Sequence, residues 1–319
     1  HRMEEIFQIA DRVSVLRDGQ LIGTHVVAET NERDLIREMV NRPLDQVHHK
    51  EVIPLGDTLL EVRGMSGPGF EDVSLTVRRG EIVGLYGLIG AGRSEFVQCL
   101  FGRTHKTAGD VKLKGKAVEF RREADAIESG IVLLPESRRD QGLCLNLPVG
   151  FNLNLPVFHK ISTGGLIRSG EEKTRSDKQM RDLRIVAASR SVDALTLSGG
   201  NQQKIVIGKW LNHGADLFIF DEPTAVLEAA ETEILEREIR KLRDFASVIF
   251  VSHRLDEIMR ICDRVIVMYA GRVVEELRAG ELSRAQHPYT RGLLECLPSL
   301  THPKPRLPTL RRDPAWLGA

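Results

Sequence analysis

Asp221 and Glu222 stand side by side at the end of an apolar run, Leu217-Phe218-Ile219-Phe220. A strand that delivers two carboxylates at its C-terminal edge puts them at the ligand crevice of a parallel sheet. There Asp221 can orient Mg2+ through water. Glu222 can polarise a water for attack on a γ-phosphate. Pro223 turns the chain directly afterwards. A matching anion site precedes them. Gly87-Leu88-Ile89-Gly90-Ala91-Gly92-Arg93-Ser94 fits the pattern G-x-x-x-x-G-K-[ST], with Arg93 where Lys is expected. Glycine lets such a loop turn with its amides facing phosphate oxygens, and the helix behind it adds its N-terminal partial positive charge. Ser94 would place a hydroxyl on Mg2+. Arg93 changes the geometry, because lysine is a compact charge and guanidinium is planar and forked. Taken alone, this turn could equally be structural. A third stretch, "LTLSGGNQQKIVIGKWL", opens a helix at Ser198-Gly199-Gly200. That helix start is a second preformed phosphate site, with Ser198 as cap and donor.

These residues need a scaffold that ends strands and starts helices at one edge. From Leu59 to about Ala285, apolar strand runs alternate with helical patterns, which indicates an α/β domain around a largely parallel sheet. "LLEVRGM", "DVSLTV" and "IVGLYG" are its first strands. The 319 residues hold 41% hydrophobic and 28% charged residues, as in ordinary soluble domains. Net charge is zero and aromatics are 5%, so neither a global field nor a base-stacking surface argues for nucleic acid. No window reaches the ~18 apolar residues of a membrane span. The four cysteines, Cys99, Cys144, Cys262 and Cys296, form no C-x-x-C pair and read as reduced thiols. "EAAETEILEREIRKLRD" is a charged helix with Ile234, Ile239 and Leu242 facing inward and a solvated outer face.

The chain also repeats itself. "HRMEEIFQIADRVSVLRDGQ" and "HRLDEIMRICDRVIVMYAGR" agree at half of their twenty positions, and His1 and His253 set the offset at 252 residues. Each copy runs from a His through an amphipathic stretch to Asp-Arg, a short strand, a turn at Gly19 or Gly271, and a second strand. In the first copy Asn31 is a plausible cap for a helix through Leu35, Ile36 and Val40, closed by Pro43.

The ensemble resembles the ATP-binding-cassette (ABC) ATPases. "GLIGAGRS" is similar to their Walker A, "LSGGNQQK" to their signature, "FDEPT" to their Walker B and "FVSHRLDE" to their switch-histidine region. The motifs fall in family order within about 230 residues. A Walker A written "GLxGAGR", the segment "PESRRDQGL" and "LSGGNQQK…KWL" narrow the resemblance to the second ATPase half of bacterial monosaccharide importers. The resemblance implies a P-loop NTPase fold of the ABC type. Its parts are a mostly parallel core sheet flanked by helices, an antiparallel β subdomain, and a small helical subdomain within about 137–197.

It implies ATP and Mg2+ as ligands. Glu222 and His253 would be catalytic, and Ser94, Asp221 and Glu136 would serve the metal. Phe70, Gly87, Gly90, Ala91, Gly92, Arg93, Ser94 and Glu95, with Leu197, Ser198, Gly199, Gly200 and Asn201, would bind nucleotide. Phe70 is either the adenine-stacking aromatic or a simple core residue. Trp210 reads as core, and Arg138 and Arg139 as solvated. The expected partners are a transmembrane permease, another ABC ATPase half and, indirectly, a solute-binding protein, at the cytoplasmic face of the bacterial membrane, with no nucleic acid. Residues 1–47 read as the C-terminal remnant of a first ATPase domain whose front is missing from this chain. A linker spans 48–58, the second domain 59–285, and a partly disordered tail 286–319.

Three features depart from the family pattern. After "DEPT" the chain reads Ala225-Val226-Leu227-Glu228, so Glu228 would stand in for the D-loop Asp. Glu136 occupies the Q-loop glutamine position. "HPYTRGLLECLP" is similar to oligopeptide-importer ATPases, although Cys296 alone does not support an iron–sulfur cluster. Uptake of a sugar is the leading expectation. The alternatives are a peptide importer and a hydrolysis-poor regulatory half that binds Mg-ATP and turns it over slowly.

Overall fold

The computed structural model describes residues 6–7, 9–17, 20–31, 35, 55–134, 142–225, 227, 229–296 and 316. It divides into two compact units, residues 1–54 with 228–230, and residues 55–227 with 231–319. Glu136, Arg138, Arg139, Glu228, His1 and most of the linker and tail lie outside the described residues.

The first unit carries an antiparallel hairpin, β1 (Arg12–Arg17) and β2 (Gln20–Val26). Leu35 is helical and its amide donates to the Asn31 carbonyl at 3.2 Å.

The second unit begins with strands β3 (Thr58–Gly67), β4 (Phe70–Arg78) and β5 (Ile82–Tyr86), followed by helix α1 (Arg93–Leu100). Next come β6 (Ala108–Leu113), β7 (Lys116–Val118), α2 (Glu123–Glu128) and β8 (Ile131–Leu134). The segment α3 (Val149–Asn154), α4 (Phe158–Ile161), β9 (Ser162–Thr163), β10 (Leu166–Ile167), α5 (Ser169–Asp182) leads to α6 (Gly199–His213). The chain closes with β11 (Leu217–Asp221), α7 (Ala229–Leu242), β12 (Ser247–Ser252), α8 (Leu255–Ile261), β13 (Arg264–Tyr269), β14 (Arg272–Arg278) and α9 (Pro288–Glu295).

Six strands form the main sheet in the order β14-β13-β5-β12-β11-β8, parallel throughout except for the β13–β14 hairpin. Its inner strands are apolar on both faces, as a covered parallel sheet requires. Val83, Leu85, Ile219, Ile249 and Val251 join one core with the antiparallel sheet β4-β3-β6-β7 and Phe96 of α1. The alternate residues Ile82, Tyr86, Phe218, Phe220, Val248 and Phe250 join a second core with Leu235, Ile239, Leu255 and Ile258 of the helices. A third, smaller core gathers Val149, Leu153, Ile185, Ala194 and Ile205 around α3, α5 and α6.

The repeat read in the sequence is also a repeat of pairing. Arg12 faces Val26 and Arg264 faces Arg278, and each partner pair keeps the same offset. Both hairpins bulge at the same step, Val15/Leu16 and Val267/Met268. The Val27 amide donates to the Asp11 carbonyl at 2.9 Å, and the Ala279 amide to the Asp263 carbonyl at 3.0 Å. The copies differ in what covers them. Ile9 is 84% exposed where Ile261 is 2% exposed, and β13 has β5 as a parallel neighbour while β1–β2 is a two-stranded sheet.

A short helix in the tail begins at Pro288, capped by the His287 side chain, and extends through Glu295. Trp316 joins the second core, with its ring 5.4 Å from Tyr269 and 5.5 Å from Tyr289.

Candidate functional site

The glycine loop runs from the end of β5 to the start of α1, and its fit against neighbouring backbone explains its composition. A Cβ on Gly87 would strike the Met268 carbonyl oxygen. At Gly92, where φ is 91°, it would lie 2.7 Å from Gly271 Cα and 2.8 Å from the Gly69 carbonyl oxygen. No side chain fits either place. The Gly271 amide donates to the Ala91 carbonyl at 2.9 Å, and the Glu71 amide to the Gly271 carbonyl at 2.8 Å. The turn after β13 thus buttresses the loop, which is why the second repeat copy matters to the site.

Gly90, Ala91, Gly92, Arg93, Ser94 and Glu95 line a cleft of about 310 Å3 together with Glu222 and His253. Arg93 is 5% exposed. Its Nη2 lies 3.1 Å from Glu222 Oε1, while its buried Nη1 has no hydrogen-bond partner. A buried, unpaired cationic donor at the mouth of a helix is costly unless an anion arrives to accept from it.

Glu222 sits just past β11 with φ at 50°, a region non-glycine residues seldom adopt and one that clusters at functional sites. Its amide donates to the Val251 carbonyl at 3.0 Å, which holds the residue at the sheet edge. His253 Nδ1 lies 2.7 Å from Glu222 Oε2. Both carboxylate oxygens are therefore engaged, one by Arg93 and one by His253.

Ser94 Oγ donates to Asp221 Oδ1 at 2.8 Å. Burial pushes the Asp221 carboxyl above the usual range, opposed by the Ser94 hydrogen bond and reinforced by the Glu222 charge. A hydroxyl and a desolvated carboxylate side by side are hard oxygen donors. They fit Mg2+, which keeps waters and phosphate oxygens as its other ligands. No cluster of three or more His, Cys, Asp or Glu suits a metal among the described residues.

One residue escaped the sequence reading. Glu257 is fully buried and accepts from Thr224 Oγ1 at 2.8 Å and Ser252 Oγ at 2.9 Å. Arg254 Nη1 lies 3.0 Å from its other oxygen. Thr224 follows Glu222 by two residues and Ser252 precedes His253, so this one carboxylate ties together the segments that carry both. The available signal was a Glu at the same place in each repeat copy, Glu5 and Glu257.

Of the two readings of Phe70, the core one matches its placement: it is 4% exposed and meets Phe96 edge-on at 5.5 Å within the first core. Ser198 stands at the N-cap of α6 but makes no capping hydrogen bond, and its Oγ accepts from Asn201 Nδ2 at 3.1 Å. Asn201 Oδ1 accepts instead from the Val186 amide at 2.9 Å. Leu197, Ser198, Gly199, Gly200 and Asn201 do not line the cleft that holds Arg93 and Glu222.

A second cavity of about 500 Å3 opens on the other side of Ser94, Asp221 and Glu222, toward Lys209 and Trp210. Lys209 Nζ donates to the Gly142 carbonyl and lies 5.3 Å over the Trp210 ring, and burial pushes its ammonium below the usual range. Trp210 is half-buried against the second core.

Residues 70–225 match the ABC transporter family. The chain is 42% identical over 285 residues to the ribose import ATP-binding protein RbsA 1 of Rhizobium meliloti (strain 1021), covering 89% of this chain and 57% of that protein. It is 39% identical over 286 residues to the ribose import ATP-binding protein RbsA of Bacillus subtilis (strain 168), covering 89% and 58%. The chain thus spans a little over half the length of these relatives. Among solved structures it is similar to cbiO1 from Clostridium perfringens, described as part of the ABC transporter complex cbiONQ. The TM-score is 0.62 at 18% identity, covering 72% of this chain and 91% of that one. MJ1267, an ATP-binding cassette of an ABC transporter in its ADP conformation, gives a TM-score of 0.61 at 18% identity, covering 74% and 98%. At these identities the structural likeness speaks to fold alone.

Proposed function

We propose that this chain, whose residues 70–225 match the ABC transporter family, binds Mg-ATP at the Gly87–Ser94 loop and hydrolyses it to drive uptake of a sugar by an ABC importer. The observation that carries this reading is the convergence of Arg93, Ser94, Asp221, Glu222 and His253 on one edge of the parallel sheet. The loop amides and the α1 N-terminus hold the phosphates. Arg93 supplies the charge opposite them and, through its unpaired Nη1, a donor in waiting. Glu222 accepts a proton from water as the water oxygen bonds to the γ-phosphorus; the bond to the β–γ bridging oxygen breaks and ADP leaves. His253, whose Nδ1 faces Glu222 Oε2, keeps Glu222 oriented. Ser94 and Asp221 would hold Mg2+, which would supply positive charge against the phosphates.

The relatives named for ribose import support a sugar as the solute. The "HPYTRGLLECLP" tail keeps a peptide as the alternative. The matched hairpin registers support the reading of the first unit as the end of another ATPase half. The partners are a transmembrane permease, through which a solute-binding protein acts, and a second cassette whose signature would complete the site. No helix among the described residues is long and apolar enough to cross a membrane, in keeping with a peripheral place on its cytoplasmic face. A hydrolysis-poor regulatory half is the second reading, favoured by the Arg93–Glu222 contact. Calorimetric titration of the purified chain with Mg-ATP tests the core of this assignment. Saturable one-site binding that Ser94→Ala weakens is expected, and heat indistinguishable from dilution would refute it.

A further inference from the structure

The C-terminal helix α9 reaches back across 201 residues to the phosphate loop. Tyr289 is fully buried, and its hydroxyl accepts from the Leu88 amide at 3.0 Å. Leu88 is the second residue of the glycine loop, directly before Ile89 and Gly90, which line the cleft. The hydroxyl therefore grips the rising limb of the loop from behind.

The helix that delivers Tyr289 is itself anchored at several points. The Gln286 amide donates to Glu275 Oε1 at 2.6 Å, which fastens the entry to α9 onto β14. The Tyr289 amide donates to His287 Nδ1 at 3.2 Å, while His287 Nε2 lies 2.9 Å from the Trp316 carbonyl. One ring nitrogen accepts, so the other carries the proton and donates to Trp316. The Trp316 ring closes over Tyr289 and Tyr269. Burial pushes the neighbouring Tyr86 phenol above its usual range, with Tyr289 adding to the effect.

A phenylalanine would fill the same space against Tyr269 and Trp316. What it would lack is the oxygen opposite Leu88. A residue that needs its ring for packing alone has no reason to aim a polar atom at a loop amide from a distant element. We infer that Tyr289 is a positioning residue for the phosphate-binding loop, holding its rising limb in the nucleotide-receptive shape and coupling that shape to the C-terminal helix and Trp316. This rests on the proposed nucleotide reading of the cleft and adds a specific residue to it.

Tyr289→Phe tests it with two readouts. Hydrogen exchange of the nucleotide-free chain is expected to speed up about three-fold or more at Leu88 and Ile89, whose limb of the loop loses the Tyr289 hydroxyl, with β11 and β12 unchanged. Titration with Mg-ATP is expected to give a Kd about three- to ten-fold weaker, with KM raised likewise and kcat at saturation retained, the pattern of lost ground-state binding. Unchanged exchange at Leu88 overturns the contact. Faster exchange with unchanged Kd overturns the positioning role. A fall in melting temperature with equal Kd assigns the hydroxyl to stability alone and overturns it as well. Failure of the unsubstituted chain to bind Mg-ATP refutes the nucleotide reading itself, a result distinct from equal binding by the two forms.

Discussion

Replacing Arg93 by lysine should make the protein a faster ATPase. In the nucleotide-free chain Arg93 Nη2 holds Glu222 Oε1 at 3.1 Å, with Arg93 5% and Glu222 20% exposed, so solvent screens the pair little. Glu222 Oε2 is meanwhile occupied by His253 at 2.7 Å. A carboxylate held between Arg93 and His253 must loosen one contact if it is to turn toward a water. A hydrogen bond to a charged group contributes roughly 1.5–3 kcal/mol, and retaining it through the ground state slows turnover by about 10- to 100-fold. A lysine side chain in this place keeps the positive charge for phosphate but loses the planar fork that reaches Glu222. Arg93→Lys is therefore expected to raise kcat by about tenfold, the lower end, since an ammonium retains some attraction. Steady-state phosphate release at saturating Mg-ATP measures the rate, and a parallel binding titration separates affinity from turnover. If kcat is unchanged or lower while affinity is kept, the Arg93–Glu222 contact is not a brake and the argument from occupied oxygens fails.

Other substitutions probe the supports of the site. Because folding raises the Asp221 carboxyl above its ordinary range, its ionised form costs stability above the folded pKa, and that cost fades as pH falls through it. Asp221→Asn should therefore raise the melting temperature of the nucleotide-free protein at neutral pH, by ~2–4 °C per kcal/mol relieved. The advantage should narrow in acid, and calorimetric scans at several pH values check the sign. Glu257→Ala should lower kcat about tenfold or more with little change in KM, by unpinning Thr224 and Ser252. Glu257→Gln, which keeps an acceptor oxygen in the same place, should recover most of the rate in the same assay.

The parallel sheet was legible because its inner strands are apolar on both faces, and a run such as Leu217–Phe220 admits little else. The glycine loop was legible because Gly87 and Gly92 sit where no Cβ fits. The repeat foretold a second hairpin, and even the bulge falls at the same step. What stayed hidden is contact across long separations. An aromatic before a strand reads alike whether it stacks on a ligand or enters the core, and Phe70 chose the core through Phe96. Ser198 has the composition of a cap but spends its oxygen on Asn201. Glu257 looks like one more charge on a solvated helix until its two hydroxyl partners are seen. The two-residue strands β9 and β10 are too short to show an alternation at all.

The central claim is that Glu222 makes a nucleotide-binding cleft hydrolytic. Phosphate release from Mg-ATP by the purified chain, beside Glu222→Gln, tests it most directly. Slow but saturable hydrolysis is predicted, falling by about 10²- to 10⁴-fold in Glu222→Gln while Mg-ATP binding persists. Equal rates in the two proteins, or hydrolysis by neither despite tight binding, would contradict it.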